Sequence, residues 1–125
     1  MSRRDAPAWR VADRRPVFSA GPVREIAVEH VVLPDGREIE DYYRIDLADF
    51  ALVCAITEAD DVLLLRQYKH GPGRTCTTCP GGAIGRGETA IEAARRELLE
   101  ETGFVSDAWV SLGGYVTNGN QRCNV

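Results

Sequence analysis

Three carboxylates, Glu97, Glu100 and Glu101, stand beside two guanidinium groups, Arg95 and Arg96, in the stretch GGAIGRGETAIEAARRELLEETGF from Gly81 to Phe104. Four of its first seven residues are glycine. On a helix, Glu97 and Glu101 fall one turn apart, roughly 40° from each other, with Glu100 about 60° further round, so the three share a flank. Carboxylates so placed repel. A hard divalent cation with a preference for oxygen, such as Mg²⁺ or Mn²⁺, is the usual physical reason to gather them. The glycines ahead of the helix let backbone amides and carbonyls approach such an ion and a phosphate closely. A solvated face laced with exposed ion pairs is the plainer reading of a Glu-rich helix, but it leaves the glycine loop unexplained. Arg96 lies four residues after Glu92 and four before Glu100, so i,i+4 pairing can brace the outer carboxylates and leave Glu97 and Glu101 for other work.

The elements that must position these residues follow from pattern. Thr89, with Glu92 three residues on, has the form of a capping box, and Gly103 suits the residue past the helix end. Ile91, Ala94, Leu98 and Thr102 form the stripe expected to bury the helix against a sheet. Upstream, VREIAVEHVVLP reads as a strand with Ile26, Val28 and Val32 on one face, and REIEDYYRIDL returns as its hairpin partner across the Pro-Asp-Gly turn at 34–36. ALVCAIT (51–57) and VLLLRQY, on either side of an acidic turn, predict a second antiparallel pair. From Lys69 to Gly87 the composition predicts loop, and AWVSLGGYV predicts one more strand. Residues 1–20 read as a polar arm, arginine-rich but interrupted by Asp5 and Asp13.

With 125 residues, 44% of them hydrophobic, the chain suits one domain over 1–125 with a single core. A net charge of −4 argues against nucleic acid or anionic membrane as the main partner. No apolar run is long enough to span a bilayer, and no signal-peptide core opens the chain, which predicts a cytoplasmic protein. Of the four cysteines, Cys76 and Cys79 have the gap of a zinc knuckle or a redox pair, but a structural zinc site needs four ligands. Cys123 stands apart, and Cys54 in ALVCAI reads as a small buried hydrophobe.

Gly82, five residues, Glu88, seven residues, Arg96-Glu97-Leu98, one residue, Glu100-Glu101, one residue and Gly103-Phe104 together fill the specified positions of the Nudix box. The chain therefore resembles the Nudix hydrolases. The resemblance implies an α/β (α+β) fold: an α/β/α sandwich around a mixed β-sheet, here with an N-terminal β-hairpin extension. VLLLRQYKHG and the hairpin with Pro-Asp-Gly look like the ADP-ribose pyrophosphatase branch, whose members often pair through an N-terminal sheet, so a homodimer through the N-terminal strands is implied. Two positions depart from that branch: Thr78 stands where a glutamate is usual, and Asn120 where a proline is.

By the same resemblance, Glu97 and Glu101 are the principal metal ligands, Glu100 a further ligand or metal-water contact, and the Gly81 carbonyl a backbone ligand to Mg²⁺ or Mn²⁺. Arg96 would orient the glutamates, with Glu88 supporting the loop or pairing with it, and Gly82 and Gly103 shaping the motif. The implied chemistry is attack of water on one phosphorus of a nucleoside diphosphate derivative, ADP-ribose or a nucleotide sugar, with the metal neutralising the phosphate oxygens and activating the water. Arg66 and Gln67, at a strand end beside the loop, can contact phosphate or the terminal sugar, and either can equally be solvated. His70 can serve as ligand or acid, and Trp9, Tyr42 and Tyr43 can stack on a base or simply pack. Relatives continue with a further strand and a closing helix, so the chain reads as C-terminally truncated. A non-catalytic nucleotide-binding or partner-binding module of the same scaffold is the alternative.

Overall fold

The structure, a computed structural model, describes residues 7–119 and the backbone of 121–122. The chain divides into two compact units, one running up to residue 48 with the return segment from 117, the other covering 49–116.

The first unit is a sheet of β1 (Arg10–Ala20), β2 (Val23–Val32) and β3 (Glu38–Leu47), in order along the chain and antiparallel. The β2–β3 turn follows the Pro-Asp-Gly prediction: Leu33 N–H donates to the Arg37 carbonyl at 2.8 Å, and Gly36 N–H to the Leu33 carbonyl at 3.0 Å. Most of the expected polar arm is therefore strand. Arg14 finds acidic partners across the ladder, bound to Glu25 and, at 3.3 Å, to Glu29, so pairing overrides a composition that argues for an arm. β1 is an edge strand among the described residues, and its register slips between Pro16 and Phe18 and again between Phe18 and Ala20, an irregular edge where a residue without an N–H is tolerated. On β2 the buried face is Ala27, Glu29 and Val31, opposite to Ile26, Val28 and Val32. Glu29 is accommodated there because Arg14 and Arg44 both reach its Oε1, at 3.3 and 3.4 Å.

The second unit holds the box. β4 (Phe50–Leu52) pairs antiparallel with β7 (Gly81–Ala83), and β5 (Leu65–Lys69) with β6 (Arg74–Thr78). The expected pairing of ALVCAIT with VLLLRQY shrinks to one bridge, Ile56 to Val62, closing the acidic turn. The strands take other partners, and both lie within 69–87, so that stretch is not simply loop. Helix α1 (Ala90–Thr102) begins and ends as its capping residues predict: Glu92 N–H donates to Thr89 Oγ1, Thr89 N–H donates to Glu92 Oε2 at 2.8 Å, and Gly103 caps the C-terminus at φ 76°.

Ala93, Ala94 and Leu98 of α1 pack with Ala51 and Val53, flanked by Ile84, Leu63 and Trp109. Ile91, expected in this stripe, is exposed, and Cys54 points away from the core. AWVSLGGYV forms no strand from 108 to 115; instead Trp109 lies against the helix core and under Arg95, whose guanidinium carbon is 5.9 Å from the ring centroid. The return segment β8 (Gln121–Arg122) runs parallel to β3, which makes the first sheet mixed. The α+β class holds, with one helix among the described residues. None of the described helices is long and apolar enough to cross a membrane.

Candidate active site

The glycine loop and the first turns of α1 are joined through a single guanidinium. Arg96 Nε and Nη2 donate to the two carboxylate oxygens of Glu88 at 2.8 and 2.9 Å. Its Nη1 donates to Glu97 Oε1 at 2.6 Å and Glu100 Oε2 at 3.2 Å, and Nη2 also reaches the Ala83 carbonyl at 3.0 Å. An arginine has five N–H donors, and these five contacts engage all of them. Glu88 in turn accepts the Gly85 amide at 2.7 Å, which folds the loop back over the helix.

Arg96 and the Gly85 amide together hold the Glu88 carboxyl down at about 2, against an ordinary 4.5, and the Glu88 and Glu97 carboxylates push the Arg96 guanidinium further up. The hydrogen bonds from Thr89 likewise lower Glu92. Glu92 is thus spent on the cap, and the expected pairing of Arg96 with Glu92 gives way to Glu88. Nor is Glu97 left free of Arg96: it is the closest of its partners.

Glu101 is anchored separately, accepting the Gly81 N–H at 2.8 Å. The two glycines at the loop entrance are there for close approach. A Cβ on Gly81 would lie 2.3 Å from the Ala51 carbonyl oxygen of the paired strand, and one on Gly82 would lie 2.3–2.6 Å from the Glu97 carboxylate. Strand pairing of β4 with β7 thereby sets the position of Glu101, and packing against bare Cα sets that of Glu97.

The structure thus brings together Glu88, Arg96, Glu97 and Glu100 around Ala83, and Glu101 with Gly81. Arg66 and Gln67 stand apart from this network. Arg66 is exposed on β5, while Gln67 lies on the other face, its amide 3.5 Å from Thr78 Oγ1, two residues before Pro80. His70 sits in the β5–β6 turn, its ring beside Tyr68, and Trp9 packs edge-on against Tyr42 in the first unit. The Ala83 carbonyl and Gly85 amide went unread in the sequence. The signal for them was available, since five guanidinium donors need more acceptors than the helix alone supplies.

The donor set, carboxylate and carbonyl oxygen only, fits a hard dication such as Mg²⁺ or Mn²⁺. As placed, the carboxylates are drawn to two different anchors, Arg96 and the Gly81 amide. Accordingly, no three His, Cys, Asp or Glu side chains among the described residues gather closely enough to hold an ion as they stand, and this includes the surroundings of Cys76 and Cys79. Cys123 and Asn120 lie outside the described residues.

The family described as NUDIX domain matches residues 46–123. The chain is 40% identical over 73 residues to an ADP-ribose pyrophosphatase of Methanocaldococcus jannaschii, covering 58% of this chain and 43% of that protein. It is 30% identical over 106 residues to an ADP-ribose pyrophosphatase of Bacillus subtilis, covering 82% of this chain and 54% of that one. The chain therefore spans about half the length of these relatives. Among solved structures, an ADP compounds hydrolase shares the fold with a TM-score of 0.79 at 20% identity, over 97% of this chain and 65% of the other.

Proposed function

The chain belongs to the NUDIX domain family, and from that membership we propose that it hydrolyses a diphosphate linkage in a nucleoside diphosphate derivative. ADP-ribose or a nucleotide sugar is the substrate we favour, with a nucleoside monophosphate as one product. The observation that carries this reading is the Arg96 network, which concentrates Glu88, Glu97 and Glu100 at the mouth of a glycine loop while Glu101 is held on the Gly81 amide. Three carboxylates share one guanidinium there and the fourth is held by a neutral amide, and a divalent cation is the natural complement of that excess.

In this reading Glu97, Glu100, Glu101 and the Gly81 carbonyl hold Mg²⁺ or Mn²⁺, which when bound supplies charge neutralisation at the phosphates and a more acidic water. Gly81 and Gly82 keep the loop close enough for its backbone to reach both the carboxylates and a phosphate. Glu101 and Glu100 act at the reacting centre, and Arg96, anchored on Glu88, orients Glu97 and Glu100. We assign phosphate or the terminal sugar to Arg66 and Gln67, a reading supported by the exposure of Arg66 on β5. Pairing of two copies through the N-terminal strands belongs to the same reading, supported by the edge position of β1 among the described residues, with exposed Val17 and Phe18. So does a cytoplasmic location, which rests on composition alone.

The test is incubation of the purified chain with ADP-ribose, other nucleotide sugars and nucleoside triphosphates, with and without Mg²⁺, using Glu101→Gln as control. Metal-dependent release of AMP from ADP-ribose, abolished in the variant, is the expected result. A second reading, a nucleotide-binding module without turnover, is favoured by the separate anchoring of the carboxylates. It predicts a ligand-induced rise in melting temperature with no product.

A further inference from the structure

Two cysteines far apart in the chain are opposed by the register of the β4–β7 ladder. That ladder pairs Phe50 with Ala83, Ala51 with Gly82 and Leu52 with Gly81. It continues one step beyond the strands, because Val53 N–H donates to the Pro80 carbonyl at 2.8 Å, and the next residues in that register are Cys54 and Cys79. Ile84 N–H donates to the Asp49 carbonyl at 2.8 Å, so hydrogen-bonded pairs fall at 49–84 and 53–80, and the pair 54–79 takes a non-hydrogen-bonded position. Side chains approach most closely there. Cα atoms at such positions lie about 4.5 Å apart, within the range that a disulfide spans. Both thiols are free.

Beyond this pair the strands part. Leu63 N–H donates to the Ala55 carbonyl at 2.9 Å, so the chain after Cys54 takes a new partner, while Thr78, ahead of Cys79, pairs with Leu65 in the β5–β6 hairpin. Cys54 and Cys79 therefore stand at a fork, at a position whose backbone groups point away from each other. Cys54 is exposed, on the side of its strand that also shows Leu52 and Ile56, and Cys79 is half-buried. Cys76, whose spacing from Cys79 suggests a redox pair, is turned elsewhere. It lies opposite Gln67 on β6, its thiol donates to the Arg74 carbonyl at 3.7 Å, and residues three apart on an extended chain face opposite sides.

We propose that Cys54 and Cys79 form a reversible cross-strand dithiol–disulfide pair that clasps this fork, two residues ahead of the Gly81 amide that holds Glu101. The oxidant is a low-molecular-weight disulfide. The exposed Cys54, as thiolate, attacks one sulfur of it and expels a thiolate; Cys79, as thiolate, then attacks Cys54 Sγ in the mixed disulfide and expels the second. Two protein thiols give up two protons and two electrons, and the small disulfide becomes two thiols. The clasp closes the chain between residues 54 and 79 and holds together strands that no backbone hydrogen bond joins at that point.

The experiment treats the folded full chain with oxidised glutathione, alkylates the remaining thiols and maps the cysteines by mass spectrometry. We expect a peptide linked through Cys54 and Cys79, with Cys76 alkylated, reversed by dithiothreitol and formed equally well in Cys76→Ser. A Cys76–Cys79 link, glutathione on single cysteines only, or a 54–79 link that appears only in urea overturns the proposal.

Hydrogen exchange on the same two forms reads the clasp without any variant. In the oxidised chain the Gly81 amide should exchange roughly tenfold more slowly than in the reduced one, and the urea midpoint should rise. Exchange at Gly81 that is the same in both forms overturns the clasp.

Discussion

The Nε–Nη2 edge of Arg96 lies along both carboxylate oxygens of Glu88, at 2.8 and 2.9 Å, and eight residues of loop and helix are closed by that contact. Bidentate pairs of this kind fix orientation as well as distance. Here the fork ties the glycine loop to the helix that carries Glu97, Glu100 and Glu101. Removing it should loosen the site before it loosens the core, since both partners sit at the surface of the unit.

The pH dependence of stability follows from that pair. Glu88 is held at about 2 in the folded chain and titrates near 4.5 when unpaired. A depressed folded value means stability that is fully present above pH 4.5 and lost as pH falls toward 2. Asp35, lowered by Arg37, and Glu92, lowered by Thr89, act in the same direction. Urea midpoints measured from pH 6 down to pH 2.5 should fall for the parent. In Glu88→Gln the fall should be shallower over that window. An identical acid limb in the two proteins would refute the assignment.

The cap can be tested separately. Thr89→Ala removes the acceptor for Glu92 N–H and should cost about 1 kcal/mol, read as a lower urea midpoint with an unchanged slope. Thr89→Ser keeps the hydroxyl and should recover most of the loss.

Leu98 is the largest side chain in a core otherwise made of Ala51, Val53, Ala93 and Ala94, and it is 3% exposed. Leu98→Ala should destabilise by about 3 kcal/mol, because small neighbours cannot close over the space it leaves. Ile91→Ala, on the exposed side of the same helix, should change the midpoint by less than about 1 kcal/mol, the reverse of what its place in the sequence stripe predicts.

How far the sequence can be read divides along the same physical line. Local hydrogen bonding and fixed spacing made α1 legible: Thr89 with Glu92, and Gly103, sit where their capping chemistry requires. The β2–β3 hairpin was legible for the same reason, since Pro-Asp-Gly dictates its turn. Pairing at a distance was not. β7 is a strand because Gly81 and Gly82 let Ala51 and Leu52 come close, and nothing in a run of glycine, threonine and cysteine announces a partner thirty residues upstream. β1 hid behind its arginines, and the partners of Arg14, Glu25 and Glu29, lie on another strand. In the site, Arg96 was legible as a brace, but its choice of Glu88 over Glu92 depends on Glu92 being claimed by the cap.

The two entrance glycines should fail in different ways when substituted. At Gly81 the added Cβ meets the Ala51 carbonyl at 2.3 Å, and both atoms belong to backbone held in a β4–β7 ladder. Neither can move without breaking the pairing, so Gly81→Ala should cost about 2–4 kcal/mol, within the range for strain at a special backbone position. At Gly82 the added Cβ meets the Glu97 carboxylate at 2.3–2.6 Å, and that carboxylate is the end of a flexible side chain. Glu97 can swing away, so Gly82→Ala should keep the melting temperature nearly unchanged while Arg96 loses its 2.6 Å contact. Metal-dependent turnover should then fall by about a hundredfold, as for a misplaced group at a reacting centre. Thermal melts and turnover on both variants check the contrast, and a Gly82→Ala protein with full activity would show that the placement of Glu97 against Gly82 is not needed for catalysis.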